Sequence, residues 1–182
     1  RRVETHNEEK HRIITNSVPI IFMRSVDADL GVASVVVHKN KILLVQEAKG
    51  PYSGKWGLPK GFVEQDELPA DAILRELSEE CGLEGRVSGV MGIRETVHNG
   101  RVCIFMVYRV DVDEHVLRIC TDEISDVGFF GIEEMKGLDW ISDVMELWAI
   151  AGLNDSSSLF SLDMAPIRMR PYMVHLGSEA SA

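Results

Sequence analysis

Three carboxylates stand close together at Glu76, Glu79 and Glu80, in a run that reads RELSEEC over residues 75–81. A helix turns by about 100° per residue, which gathers these three side chains on one arc of roughly 100°. With Ile73 as the reference, Ala70, Leu74, Leu77 and Cys81 fall within about 100° on the neighbouring side. One face is therefore apolar and the next carries three negative charges. Like charges at i,i+4 spacing destabilise an isolated helix, and the single cation Arg75, four residues before Glu79, does not neutralise three acids. A hard divalent cation, Mg²⁺ or Mn²⁺, is the partner that carboxylate oxygens suit, and such an ion also takes waters and substrate phosphates. Charge alone favours the plainer explanation, a solvated acidic face.

The flanking residues change that balance. Residues 61–83 read GFVEQDELPADAILRELSEECGL. They fit G-x5-E-x7-R-E-U-x-E-E-x-G-U, with U a bulky aliphatic residue, at Gly61, Glu67, Arg75, Glu76, Leu77, Glu79, Glu80, Gly82 and Leu83. This resembles the signature of the Nudix hydrolase superfamily at every constrained position. The likeness extends more loosely over residues 31–150 and leaves both ends uncovered. It implies an α/β/α sandwich with a mixed sheet and a loop–helix–loop cassette. It also implies hydrolysis of a nucleoside diphosphate linked to another group. Carried over residue by residue, it assigns Glu76, Glu79 and Glu80 to Mg²⁺ or Mn²⁺. Arg75 would orient the glutamates, Glu67 would brace the loop, and Gly61 and Gly82 would adopt backbone conformations that side chains hinder. The chemistry is coherent. A pyrophosphate is an anionic and poor electrophile, and metal ions both neutralise its oxygens and lower the pKa of a bound water.

Around the cassette, WGLPKGFVE over residues 56–64 carries Lys60 where many members of the superfamily have Gly. This P-K-G form resembles diadenosine-polyphosphate hydrolases and mRNA-decapping enzymes. It implies that Lys60 binds substrate phosphate while its backbone carbonyl ligates metal. Downstream, residues 92–112 and 122–135 resemble members that act on ADP-ribose- and NADH-type substrates. In several branches a glutamate before the next core strand ligates metal or acts as base. Glu123 stands at that place, with Glu95 as a weaker alternative, and His98 reads as a hairpin-tip residue. Phe129 is a candidate for stacking on a base. Because adjacent strand residues face opposite ways, Phe129 and Phe130 cannot share one role. Trp56 reads as a brace for the loop. Arg168 and Arg170 lie near Tyr172 in the sequence and suit phosphate and base binding.

The elements that must position these groups are legible in outline. Residues 31–37 and 41–45 read as strands joined by a turn at 38–40, and residues 47–61 as a loop rich in Gly and Pro. A helix is expected over 68–81, with Pro69 in its first turn and Gly82 as its stop. Residues 86–96 and 102–112 read as a hairpin around Asn99-Gly100. A short strand follows at 127–131 and a helix at 141–150. Periodicity alone implies an α/β or α+β class. The expected division is a polar arm at 1–17, a catalytic domain at 18–153 opening with a strand at 18–24, and a tail or docked extension at 154–182.

The chain has 182 residues, with 29 acidic against 19 basic side chains and a net charge of −10. That opposes bulk attraction to nucleic acid or to anionic membrane. Seven acids and one base fall within residues 61–83, so the cassette holds more than half of the imbalance. No apolar run approaches the length of a membrane span. Cys81, Cys103 and Cys120 are odd in number and lack a C-x-x-C pair. They read as small apolar residues in an intracellular, reducing compartment. No signal peptide is visible, and a start at Arg1 is that expected of a trimmed or processed product. Two classes of function follow. The first is a metal-dependent pyrophosphohydrolase acting on a dinucleotide, an ADP-ribose- or NADH-type substrate or a nucleoside polyphosphate, with triphosphorylated RNA 5′ ends as the alternative. The second is a nucleotide- or RNA-binding module that works within a complex, with a protein partner at the ends of the chain.

Overall fold

A computed structural model describes residues 26–154, 160–163, 165–169 and 172–176. The arm at 1–17 and the strand expected at 18–24 lie outside the described residues. Ten strands and three helices follow in order. They are β1 (Ala28–Val35), β2 (Val37–His38), β3 (Lys41–Glu47), β4 (Trp56–Gly57), β5 (Lys60–Phe62), α1 (Pro69–Cys81), β6 (Gly85–His98), β7 (Arg101–Val112), β8 (Ile124–Phe130), α2 (Asp143–Leu153), β9 (Phe160–Asp163), α3 (Ala165–Arg168) and β10 (Tyr172–Leu176).

Six strands form a mixed sheet in the order β5-β1-β7-β6-β10-β9, in which only β1 and β7 run parallel. In the second sheet β3 is central, with β8 on one edge and the short β2 and β4 on the other. Ile42, Leu43, Leu44 and Val45 are all fully buried, as a strand covered on both faces requires. Alternate residues serve opposite layers. Val32, Leu43 and Val45 meet Ile73, Leu77 and Cys81 of α1. Ala33, Ile42 and Leu44 meet Val144, Met145 and Trp148 of α2. The result is the expected α/β/α sandwich with a mixed sheet.

Local chemistry explains the boundaries. Lys39 and Asn40 (φ 49° and 58°) turn β2 into β3, and Asn99 and Gly100 (φ 50° and 79°) turn β6 into β7, both in the left-handed region that two-residue hairpins need. The strand expected at 31–37 divides at Val36. Its first part joins the six-stranded sheet and only β2 forms the hairpin with β3. α1 ends where Gly82 turns left-handed at φ 67°. Ser142 caps α2, its hydroxyl accepting the Met145 N–H at 3.3 Å. Within the segment expected as a tail, β10 pairs with β6 and β9 extends the sheet further. At four and five residues these strands are too short for their periodicity to stand out from the surrounding loop.

The three cysteines are free thiols and do not share one environment. Cys81 is buried, Cys103 half-buried and Cys120 exposed, which corrects the expectation that all three are small core residues. No helix among the described residues is long and apolar enough to cross a membrane.

Trp148 anchors the α2 layer. It is 2% exposed, stacks on Phe105 at 5.6 Å, and its indole N–H has no hydrogen-bond partner among the described residues. Trp148→Ala is expected to cost about 3–5 kcal/mol by denaturant unfolding, while Trp148→Phe costs clearly less because no hydrogen bond is lost. Equal losses for the two would contradict this account of the site.

Candidate active site

The acidic face of α1 lies against the loop that leads into it, and Arg75 fastens the two together. Its guanidinium donates to Glu67 at 2.8 and 3.3 Å, to the Phe62 carbonyl at 3.0 Å and to Glu76 Oε1 at 2.8 Å. Glu67 in turn accepts the Glu64 N–H at 2.6 Å. The Arg75 hydrogen bonds hold the Glu67 carboxyl below its usual range, and Glu67 raises the Arg75 pKa further. One cation therefore ties the loop, the helix and a second carboxylate into one unit.

Each glutamate of the face has its own surroundings. Glu79 is 57% exposed and lies 3.5 Å from Arg75. Glu76 is largely covered; burial raises its carboxyl pKa, Arg75 opposes this, and the charges of Glu79 and Glu123 add to the rise. Glu80 is only 5% exposed, and burial pushes its carboxyl up to about 8. Its Oε2 accepts the Lys60 backbone N–H at 2.9 Å.

Gly61 makes this approach possible. A Cβ at Gly61 would fall 2.0 Å from the Glu76 carboxylate. The close approach of Glu76, rather than an unusual φ, is what requires glycine here, which corrects the expectation for Gly61. Gly82, with its left-handed φ, meets the expectation as stated.

Lys60 is not a surface lysine. It lies on β5, its side chain is 19% exposed, and its ammonium donates to Glu47 Oε1. Glu47, 16% exposed, is a member of the cluster that sequence reasoning missed. The available signal was a charged residue closing the apolar run KILLVQE, upstream of a lysine that would need a counter-ion when buried. Glu123 reaches the same corner, since Glu47 pairs with Ile124 and the Ala48 N–H donates to the Glu123 carbonyl at 2.7 Å.

Other candidates lie elsewhere. Phe129 pairs with Leu43, four residues along β3 from Glu47 and so about 13 Å away by strand rise. Its ring neighbours are His38 and His115, so the structure does not bring it to the glutamates. Phe130 points to the other layer and meets Trp56 edge-on at 4.8 Å. Trp56 braces the loop, as expected: its N–H donates to the Asp139 carbonyl and its carbonyl accepts from Ile141. Glu95 and His98 are carried on β6, two strands from β1. Arg168 pairs with Asp143 at the start of α2, in the layer across the sheet from α1. Arg170 lies outside the described residues, and of Tyr172 only the backbone, in β10, is described.

Carboxylate oxygens on one rigid helix, one of them deeply buried, fit a hard divalent ion in kind. Among the described residues no three acidic, histidine or cysteine side chains are gathered to the spacing of a single ion's ligands. The Arg75 guanidinium on Glu76 and the Lys60 backbone N–H on Glu80 hold carboxylate oxygens of the face instead.

A family model described as the Nudix domain matches residues 29–148. ADP-ribose pyrophosphatase of Methanocaldococcus jannaschii is 31% identical over 112 residues, which cover 60% of this chain and 65% of that one. CTP pyrophosphohydrolase of Escherichia coli is 36% identical over 72 residues, 39% of this chain and 53% of that one. The chain thus spans between about half and two thirds of the length of these two relatives. The crystal structure of a Nudix hydrolase from Nitrosomonas europaea superposes with a TM-score of 0.59 at 24% identity, over 66% of this chain and 67% of that one. With the full nine-position signature folded into a glutamate-faced helix and its bracing loop, and with a family match over two thirds of its length, the chain belongs to the Nudix family.

Proposed function

We propose that the chain is a metal-dependent pyrophosphohydrolase that cleaves a nucleoside diphosphate linked to a second group. The observation that carries this reading is the convergence of Glu76, Glu79 and Glu80 on one helix face, fastened by Arg75 and seated against Lys60 and Gly61. Glu76, Glu79 and Glu80 would hold Mg²⁺ or Mn²⁺, with the Lys60 carbonyl beside them. The ion would supply charge neutralisation at the phosphate oxygens and an acidified water.

The protein's own groups do the positioning. Arg75 orients Glu76 and keeps the loop on the helix. Glu79, exposed and, among the described residues, held by a 3.5 Å contact with Arg75, would turn toward an incoming ion. Lys60 brings an ammonium to the edge of the face, where substrate phosphate can take it from Glu47. Glu123 supplies a carboxylate within electrostatic reach of Glu76 and would accept a proton from the attacking water. Positioning and charge neutralisation account for most of the catalysis in phosphoryl chemistry.

The relatives named above bear the names of ADP-ribose and CTP as substrates, and the net charge of −10 favours a small nucleotide over RNA. The test is a panel of ADP-ribose, NADH, diadenosine polyphosphates, nucleoside triphosphates and 5′-triphosphorylated RNA, incubated with Mg²⁺ or Mn²⁺. A nucleoside monophosphate released from at least one small substrate, and lost on chelation, is the expected result. Tight RNA binding without small-nucleotide turnover would overturn the choice of substrate, and release of no product from any member would overturn the activity.

A further inference from the structure

Glu47 lies outside the signature, yet it contacts the lysine whose backbone N–H holds Glu80. Lys60 thus has two ends in the site. Its N–H donates to Glu80 Oε2 at 2.9 Å, and its ammonium is turned to Glu47. Both side chains of the ion pair are more than four-fifths covered. The backbone of Glu47 is held from several directions. Its N–H donates to the Lys55 carbonyl at 3.0 Å, its carbonyl accepts the Gly54 N–H at 2.8 Å, and a register shift in the β3–β8 ladder falls beside it. The carboxylate is therefore presented by a fixed stretch of chain and not by a mobile loop.

We propose that Glu47 is a positioning residue that keeps the Lys60 ammonium off the metal-binding glutamates, so that a divalent ion can reach them. This rests on the pyrophosphohydrolase reading above. Lys60 is the strongest favourable charge acting on Glu80. An ammonium on a flexible four-carbon stem seeks the nearest anion when it is largely desolvated. Without a carboxylate at position 47, that anion is Glu80, and the lysine would occupy the charge that a metal ion needs. With the Glu47 carboxylate in place, the ammonium is held beside the face but not on it.

The experiment is a Mn²⁺ titration of the full chain by calorimetry, without substrate, for the parent, Glu47→Gln, Lys60→Met, the double variant and Glu80→Gln. Unfolding midpoints confirm that each is folded. Glu47→Gln should weaken Mn²⁺ binding by at least about 10-fold, because it leaves a desolvated ammonium beside the glutamates. The double variant should return to within about 2-fold of Lys60→Met, because the competing cation is gone. The Mn²⁺ concentration for half-maximal hydrolysis should rise in parallel for Glu47→Gln alone. Unchanged Mn²⁺ affinity in Glu47→Gln overturns the inference. So does an equal loss with and without Lys60, which would make Glu47 a direct ligand. A parent that binds no Mn²⁺, or a Glu80→Gln variant that binds it as well as the parent, would bring down the reading of the glutamate face itself and this role with it.

Discussion

Glu79→Gln and Glu80→Gln are each expected to lower turnover by at least about 100-fold, the scale seen when a key electrostatic group is removed from a reaction centre. The two substitutions reach that result by different routes. Glu79 is the exposed member of the face, so its replacement removes a proposed ligand charge and disturbs little beyond its 3.5 Å contact with Arg75. Glu80 is 5% exposed and accepts the Lys60 N–H, a bond that the amide oxygen of Gln can keep. Gln keeps the size and helix propensity of Glu and lowers like-charge repulsion along the face, so neither variant should be less stable than the parent in the absence of metal. Steady-state hydrolysis of the best small substrate, with unfolding midpoints measured alongside, decides the matter. Full activity in both variants would remove this face from the catalytic machinery.

Gly61→Ala should cost about as much activity, on the order of 100-fold, with little change in stability. The added methyl group would lie 2.0 Å from the carboxylate of Glu76, so something must move. What moves is the far end of a side chain and not backbone, which places the cost on Glu76 and its contact with Arg75 rather than on the fold. Gly82→Ala is the informative contrast. There the φ of 67° is the obstacle, and the Arg118 Cβ stands 3.0 Å from the new atom, so the loss is one of stability, about 1 kcal/mol. A Gly61→Ala enzyme with parental turnover would show that Glu76 need not sit where it does. A Gly61→Ala protein that unfolds readily would assign the glycine to the fold instead.

Much of this protein was determined by short-range pattern. The glutamate face, the apolar face beside it, Pro69 at one end of α1 and Gly82 at the other are properties of one helix, and helical period reads them directly. The same holds for the Asn99-Gly100 hairpin. Tertiary structure decided whatever depends on elements far apart in the chain. Glu47 and Lys60 meet because β3 ends where β5 begins its run beside β1, and no local period marks that encounter. Phe129 and Glu123 are six residues apart, yet β8 carries them toward opposite ends of β3, so Glu123 and not Phe129 comes beside Glu47. Gly61 was legible as a glycine, but its reason was not, because the obstacle is a carboxylate arriving from fifteen residues later. The pairing of β10 with β6 was hidden as well, since a sheet edge recruits a strand through backbone hydrogen bonds that any side-chain sequence can make.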